Sequence, residues 1–235
     1  GKVAVDHPRG KNLVGSFVQP LLVMIDPQTL STLPEIERRA GMAEIIKHGI
    51  IADVELFQAL EQASVPQVAK LAPSEAPVPQ VAKLAPSDLA SLRWLIERAL
   101  AGKIDVVQED PYERGRRAVL NLGHTFAHAF ELLSDYRLHH GLAVSMGMAA
   151  AARLAEARGA CSPQTRARII AVLERHGLPT RHAYNIDEAY RAMASDKKRR
   201  AGGLRFVLPA EIGKVIIADD VSASEALAAL ERSHE

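Results

Sequence analysis

The sequence lacks the features typical of secreted, membrane-bound or nucleic-acid-binding proteins. Its 235 residues include a single cysteine, Cys161, so no disulfide can form within the chain, which favours a reducing compartment and a cytoplasmic location. The longest nearly apolar stretch, residues 142–152, is too short to span a bilayer and lies far from the position of a signal peptide. A formal net charge of +1 gives no reason to expect nucleic acid or an anionic membrane as a partner.

A glycine-rich phosphate-binding loop is also missing. No segment of the G-x-G-x-x-G type follows a candidate strand, so the residues themselves indicate no nucleotide cradle. The chain begins at Gly1 rather than at a methionine, and residues 1–25 mix glycine, proline and β-branched residues as the end of a larger α/β unit does. We therefore expect a fragment. With 48% apolar residues, it is long enough to bury the core of one domain, or of one domain plus part of another.

Most of what is present follows a helical pattern. From about residue 33 to residue 180, apolar residues recur with a period near 3.6, and Thr32 is predicted as the N-cap of the first helix. The apolar run at residues 21–25 predicts a short buried strand. The other predicted elements are helices at 89–107, 143–157, 187–195 and 222–233, a charge run at 196–200, a glycine turn at 202–203, and a hairpin of residues 204–209 and 214–218.

One segment occurs twice. Residues 65–74 recur letter for letter as residues 78–87. Two copies are too few for a repeat architecture, which needs at least three units to bury a shared core. The several prolines predict that the insert at residues 63–88 is a duplicated, mobile surface linker without a function of its own.

Residues 113–128 carry most of the chemical information. If they form one helix, four polar residues at spacings of four, three and four fall on one face of it: Arg117, Asn121, His124 and His128. The opposite stripe is apolar, as a core-facing stripe should be. A cation, an amide and two imidazoles are suited to bind an anionic, hydroxyl-rich ligand and to move protons on it. The alternative is a solvated helix face on which two histidines occur by chance.

A second polar group lies in an apolar setting. Glu44 is flanked by Lys47 and His48 on a predicted helix, and these could form a surface ion pair, or a buried carboxylate that needs a partner or a metal. One glutamate and two histidines from separate elements bind Zn²⁺ with positions left open, as in catalytic sites. The residues alone do not decide which two histidines are ligands among His124, His128, His139 and His140. Spacing alone favours His124 with His128.

Seven segments, in order along the chain, resemble the 3-dehydroquinate synthase family. The longest are GMAEIIKHG at residues 41–49 and LNLGHTFAH at residues 120–128, and the shorter ones lie at 1–12, 19–20, 32–34, 140–141 and 196–198. The resemblance implies a mostly α-helical C-terminal domain that carries the last strands of an N-terminal, Rossmann-like α/β domain. Residues 1–32 would be the remnant of that NAD-binding domain, and residues 33–235 the helical metal- and substrate-binding domain.

The resemblance also implies a role for individual residues. The metal ligands would be Glu44, His124 and His140, which overrides the preference from spacing and leaves His128, with Glu113, as catalytic proton-transfer groups. Residues matching substrate contacts are Lys2, Asn12, Lys47, Lys103, Arg117, Asn121 and Lys197. Residues matching the lining of the NAD site are Lys11, Thr29, Leu30, Ser31 and Thr32. The implied cofactors are NAD and zinc, or cobalt in place of zinc.

The implied activity is that of a phosphate-eliminating carbon–oxygen lyase of the shikimate pathway, in aromatic amino acid biosynthesis. It turns 3-deoxy-D-arabino-heptulosonate 7-phosphate into 3-dehydroquinate and phosphate through NAD-mediated transient oxidation, elimination, reduction and aldol closure. The expected partner is therefore a small sugar phosphate, and the expected assembly is a homodimer. A chain without most of the NAD-binding domain is expected to be inactive alone.

Two residues depart from the family pattern. Leu142 follows His140-Gly141 where the family usually has an acid, which would weaken metal binding if that acid orients a ligand. Ala127 stands where the family usually has glycine, a change that should preserve close packing. Three other functions remain open: another sugar-phosphate cyclase, a metal-dependent polyol dehydrogenase, and a non-catalytic remnant. The first accepts substrates without a carboxylate, which would leave the predicted anion-binding group of Lys103, Arg117 and Asn121 without a purpose.

Overall fold

The computed structural model describes residues 2–7, 10–63, 89–199 and 204–235. The helices and strands in these ranges are, in chain order, β1 (Lys2–His7), β2 (Gly10–Phe17), α1 (Glu35–Ile51), α2 (Val54–Gln62), α3 (Leu89–Glu109), α4 (His124–Leu133), α5 (His140–Ala157), α6 (Pro163–Arg175), α7 (Ile186–Arg199), β3 (Phe206–Glu211), β4 (Lys214–Ala218) and α8 (Ala223–Arg232). The duplicated insert from residue 64 onward and the predicted turn at 202–203 lie outside the described residues. None of the described helices is long and apolar enough to cross a membrane.

The N-terminal part is a hairpin followed by an extended segment. β1 and β2 pair antiparallel, with Lys2 opposite Phe17 and an irregular register after Val5. The prediction of a buried strand at residues 21–25 is wrong, because this segment is exposed along its whole length and belongs to neither sheet of the described chain. The apolar run predicts burial only if a sheet lies beside it, and here β1 and β2 pair with each other.

The start of α1 also differs from the prediction. Thr32 is not its N-cap but the last residue of a short 3-10 helix, Pro27–Thr32, where its hydroxyl donates to the carbonyl of Thr29. The first α-helical residue is Glu35. The carbonyl of Pro34 accepts the first helical hydrogen bonds, and Glu35 in the first turn interacts favourably with the helix dipole.

Residues 113–128 do not form the single helix that the spacing predicts. A 3-10 helix covers Arg116–Asn121, and α4 begins only at His124. Between them Gly123 has a φ of 80°, a left-handed conformation that glycine adopts without strain and that interrupts the helical path. The apolar side of the pattern is confirmed, since Leu122 and Phe126 are buried in the core.

Helix α5 is the centre of the molecule, and its residues from Gly141 to Ala155 are all buried. Small residues let its neighbours come close. A Cβ atom on Gly141 would lie 1.9 Å from the carbonyl oxygen of Ala40 in α1, and one on Gly147 would lie 2.1 Å from that of Gly123 before α4. The backbone of α5 is thereby in close contact with α1, which carries Glu44, and with the residue that precedes α4.

The C-terminal elements agree closely with those predicted from the sequence. β3 and β4 form the predicted antiparallel hairpin, with Phe206 opposite Ala218. α8 begins after Ser222, whose hydroxyl accepts from the N–H of Glu225 while the Glu225 carboxylate accepts from the N–H of Ser222, a capping box. α7 extends further than predicted, because the charge run at 196–199 continues the helix.

Candidate metal and substrate site

Three side chains from three helices converge at one point. Glu44 comes from the middle of α1, and His124 and His140 are the first residues of α4 and α5. One ligand atom from each lies within 4.8 Å of the other two. The imidazole ring centroids of His124 and His140 are 5.3 Å apart, and Nε2 of His140 lies 3.6 Å from Oε1 of Glu44. A carboxylate and two imidazoles at this separation can hold a divalent cation such as Zn²⁺ and leave positions for a substrate.

The contacts and the ionisation of Glu44 suit a cation ligand. Its Oε1 is buried and has no hydrogen-bond partner in the described part of the chain, while Oε2 lies 2.5 Å from Nζ of Lys47. A buried acceptor without a donor costs free energy that a bound cation would offset. Burial by itself raises the pKa of Glu44, but the attraction of Lys47, together with His124 and His140, outweighs it and lowers the pKa to about 2. The carboxylate is therefore ionised at neutral pH.

His124 is held in the tautomer that binds a metal through Nε2. Its Nδ1 lies 3.1 Å from the carbonyl oxygen of Leu122, and because a carbonyl only accepts, Nδ1 carries the hydrogen. The lone pair is then on Nε2. Burial, followed by the positive charge of Lys47, lowers the pKa of His124 to about 3, so the ring is neutral at pH 7. A neutral imidazole is the form that a cation requires.

The Nδ1 atom of His140 also has a partner, but this partner is a carboxylate. Its Nδ1 lies 3.2 Å from Oε1 of Glu131, a buried residue of α4. No pattern considered above predicts a role for Glu131. The available signal is an acidic residue within the apolar segment 126–133, since a carboxylate buried among apolar side chains needs a specific partner.

The cluster opens into a cavity of about 950 Å³. Together with the three candidate ligands, this cavity is lined by the predicted catalytic residue Glu113 and by four predicted substrate contacts: Lys47, Lys103, Arg117 and Asn121. His48 also lines it, and burial lowers the pKa of that ring to about 4. The apolar walls come from α3 and from the extended segment at residues 19–25, whose contribution no sequence pattern predicts. The cavity therefore combines a candidate metal site with buried and exposed cations suited to an anionic ligand.

The loop before the 3-10 helix fixes the carboxylate of Glu113. Nδ2 of Asn121 donates to Oε1 of Glu113 at 2.8 Å, and Glu113 has a φ of 57°, which is uncommon for a residue other than glycine. Asp110 stabilises the turn by accepting from the backbone N–H groups of Arg114, Gly115 and Arg117 at 2.8, 2.8 and 3.0 Å. Strained backbone held in this way is common at functional sites.

Other predicted site residues do not line this cavity. His128 lies beside His124, with ring centroids 5.5 Å apart, but is not part of the cavity wall. The predicted NAD contacts at residues 29–32 form the 3-10 helix, where the hydroxyls of Thr29 and Thr32 donate to carbonyls of the same turn. By themselves these residues form an exposed turn and do not fit an enclosed nucleotide site.

Four predicted residues cannot be compared with this geometry. Lys2, Lys11, Asn12 and Lys197 lie in β1, β2 and α7, and their side chains are outside the described part of the structure.

The family comparisons agree with one another. The family model for the C-terminal part of 3-dehydroquinate synthase matches residues 41–199, and the model for its N-terminal part matches residues 1–40. Curated 3-dehydroquinate synthases from two Synechococcus strains are each 46% identical, over 94% and 99% of the chain. That of a Synechocystis strain is 43% identical over 94% of the chain. The chain spans 57%, 59% and 58% of the length of these three relatives.

Solved structures with the same fold confirm the expected architecture. A 2-epi-5-epi-valiolone synthase from Streptomyces hygroscopicus subsp. jinggangensis, with NAD⁺ and Zn²⁺ bound, matches 98% of this chain and 60% of its own, at 29% identity and a TM-score of 0.80. A 2-deoxy-scyllo-inosose synthase complexed with carbaglucose-6-phosphate, NAD⁺ and Co²⁺ covers 99% of this chain at 24% identity and a TM-score of 0.75, a likeness of fold alone.

Proposed function

The chain belongs to the 3-dehydroquinate synthase family, and on that basis we propose that it forms the metal- and substrate-binding part of a phosphate-eliminating lyase of the shikimate pathway. The proposed reaction converts 3-deoxy-D-arabino-heptulosonate 7-phosphate to 3-dehydroquinate and phosphate. The observation that supports it most is the convergence of Glu44, His124 and His140 beside the basic residues of one cavity.

The proposed metal is zinc or cobalt, held by Glu44, His124 and His140. When bound, such an ion supplies a Lewis acid that polarises a substrate hydroxyl. The chain's own part is to present one ionised carboxylate and two imidazoles at a single point, which lowers the cost of binding. NAD is the second proposed cofactor, with Lys11 and residues 29–32 as predicted contacts. The exposed turn at residues 29–32 does not by itself fit an enclosed nucleotide site.

The cations of the cavity are proposed to hold the substrate carboxylate and hydroxyls. Of the cations that line the cavity, Lys47 and Arg117 are buried, and Lys103 on α3 is exposed. A carboxylate in the cavity would therefore meet charges that are partly shielded from water. Asn121 adds an amide beside them. Fixing one substrate in this way suits a multistep reaction, because each step then starts from the same orientation. Lys2, Asn12 and Lys197, which match substrate contacts of the family, are proposed to bind the substrate phosphate.

Two groups are proposed to move protons. Glu113 lines the cavity, and Asn121 fixes its carboxylate through one oxygen, so the group is oriented for proton abstraction from a bound substrate. His128 is proposed to act near the leaving phosphate. Its position next to His124 keeps it close to the candidate metal, although it is not part of the described cavity wall.

Phosphate release by the full-length protein, supplied with NAD and zinc, tests this function. We expect turnover of 3-deoxy-D-arabino-heptulosonate 7-phosphate without net NADH, and little turnover of sedoheptulose 7-phosphate, which lacks the carboxylate. The second substrate represents the sugar-phosphate cyclases that accept substrates without a carboxylate. Preference for sedoheptulose 7-phosphate would identify another sugar-phosphate cyclase, net NADH a dehydrogenase, and the absence of any reaction a non-catalytic protein.

Three further expectations stay proposals. They are a domain boundary at residue 32, a homodimer and a cytoplasmic location. Light scattering of the full-length protein tests the dimer directly. The 235-residue chain alone is expected to bind the metal yet turn over poorly, because the predicted NAD contacts within it are few.

A further inference from the structure

We infer that Glu131 is a positioning residue for the metal site, because its buried carboxylate holds the imidazole of His140 in the orientation and tautomer that a metal ligand needs. The inference rests on the proposed metal-binding function and assigns a role to a residue that no motif above includes. Glu131 lies on α4, whereas His140 begins α5, so the contact joins the two helices whose first residues are candidate ligands.

The geometry assigns the two nitrogens of the His140 ring to different tasks. Oε1 of Glu131 lies 3.2 Å from Nδ1, and a carboxylate oxygen accepts hydrogen bonds, so this contact assigns the hydrogen to Nδ1. Nε2, on the other side of the ring, lies 3.6 Å from Oε1 of Glu44 and keeps its lone pair. A metal-bound histidine commonly donates its second N–H to a carboxylate, which fixes the ring and raises its basicity.

Burial distinguishes this contact from an ordinary surface pair. Glu131 is 3% exposed, whereas His140 is open to the cavity. A buried carboxylate loses its contacts with water, so it needs hydrogen-bond donors within the protein. The N–H of His140 is one such partner, and a bound cation on the far side of the ring would strengthen it by polarising that N–H.

The turn after α4 brings the two residues together. The carbonyl of Glu131 accepts from the N–H of Tyr136 and from the hydroxyl of Ser134, each at 2.8 Å. Asp135 and Tyr136 both have positive φ values, 51° and 58°. These two left-handed residues reverse the chain, so His140 returns to the carboxylate nine positions before it.

Leu142 does not take part in this arrangement. It is buried in the main apolar cluster, although the resemblance leads one to expect an acid at this position. Glu131 therefore supplies a carboxylate contact to His140 that residue 142 does not. His124 is held differently, by the neutral carbonyl of Leu122. The Nδ1 atoms of the two imidazoles therefore have different partners, a carboxylate for His140 and a carbonyl for His124. Removal of the carboxylate at 131 should affect the metal ligand His140 and not the metal ligand His124.

The test uses Glu131→Gln and Glu131→Ala in the full-length protein, with Glu61→Gln as the matched control. Glu61 is a partly buried helical glutamate that pairs with Arg168 and does not line the cavity. Zinc affinity is measured by competition with a chromophoric chelator, and the visible absorption of the Co²⁺-loaded protein reports the ligand geometry. We expect the alanine variant to bind zinc about 10- to 100-fold more weakly, the glutamine variant to fall between it and wild type, and the control to change little.

A purely structural role for Glu131 predicts a different result. The variants would then unfold more easily without metal, yet keep the wild-type zinc affinity and cobalt spectrum, and the inference would be overturned while the metal site stood. If the alanine variant does not fold, the nearly isosteric glutamine variant decides the question. Failure of the wild-type protein to bind zinc would overturn both this inference and the proposed function.

Discussion

Two groups of histidines in this molecule have opposite surroundings. In one, His124 and His140 converge with Glu44, whose Oε1 has no hydrogen-bond partner in the described chain and lies 3.6 Å from Nε2 of His140. In the other, each ring has an Nε2 3.1 Å from a backbone carbonyl: that of Leu60 for His176 and that of Leu230 for His182. His182 also stacks on Phe130, with ring centroids 4.7 Å apart.

Burial alone does not distinguish the two groups. Burial lowers the pKa of His124, His176 and His182 alike, so all three rings are neutral at pH 7. The difference lies in whether a carboxylate completes the group. His176 and His182 each connect two segments through Nε2 and a backbone carbonyl, and Nδ1 of His182 is buried without a hydrogen-bond partner among the described residues. His124 also contacts a carbonyl, through Nδ1, but it converges with His140 and the carboxylate of Glu44, and these three side chains form a candidate site for a cation.

The largest expected difference between the two groups appears when one histidine of each is replaced by alanine. His124→Ala should abolish stoichiometric zinc binding and lower kcat/KM by more than about 100-fold, since loss of a metal Lewis acid costs several kcal/mol. Its thermal stability without metal should change little. His182→Ala should do the reverse, with zinc retained and the melting temperature lowered, because a stacked and hydrogen-bonded ring is lost from the core. Equal loss of zinc in both variants would contradict the distinction.

A second test changes the close packing of α5 on α1, which brings His140 and Glu44 together. Gly141→Ala places a Cβ against the backbone of Ala40, which cannot move aside as a flexible side chain can. We expect a loss of about 1–3 kcal/mol in the free energy of unfolding, together with weaker zinc binding. Urea unfolding and zinc titration measure the two effects.

Gly102→Ala in α3 is the matched control for this substitution. It meets no atom within 4 Å and should stabilise the helix by about 0.5–1 kcal/mol. If the Gly141 and Gly102 variants behaved alike, close approach of α1 and α5 would not be what brings Glu44 and His140 together.

The smallest expected effect is a pH dependence that comes from the second group. The folded-state pKa values of His176 and His182 are lowered below the unfolded value of about 6.5, so the unfolded chain binds more protons once the pH falls below that value. Stability is full above this pH and declines as the pH is lowered. Urea unfolding at about pH 7.5 and pH 5.5 should show a smaller decline for His182→Gln than for wild type. An equal decline would mean that this ring is not held neutral by burial.

Periodicity predicts those parts of the fold that local burial decides. It predicts α3, α5, α8 and the β3–β4 hairpin, because each has an apolar face or alternation long enough to outweigh chance. Periodicity fails where a single backbone angle or a single neighbouring element determines the local structure. The left-handed Gly123 divides the 113–128 segment, and the exposed run at 21–25 has apolar residues but no sheet beside it.

Likewise, spacing predicts only some residues of the candidate site. Spacing identifies His124 but favours His128 as its companion, since residues four apart on one helix are the only neighbours that a sequence shows directly. His140 enters the cluster only because α5 packs against α1 and α4. Glu131 and the cavity wall at 19–25 depend on the path of the chain between elements, for which the sequence has no periodic signal.

The metal content of the purified full-length protein, with and without Glu44→Ala, tests the central claim most directly. After equilibration with zinc and removal of the unbound ion, elemental analysis should find about one zinc per wild-type chain and almost none in the variant, because a site with three protein ligands does not hold the ion on two. Circular dichroism would verify that the variant is folded. One zinc per chain in both proteins, or none in the wild type, would contradict a metal site formed by Glu44, His124 and His140.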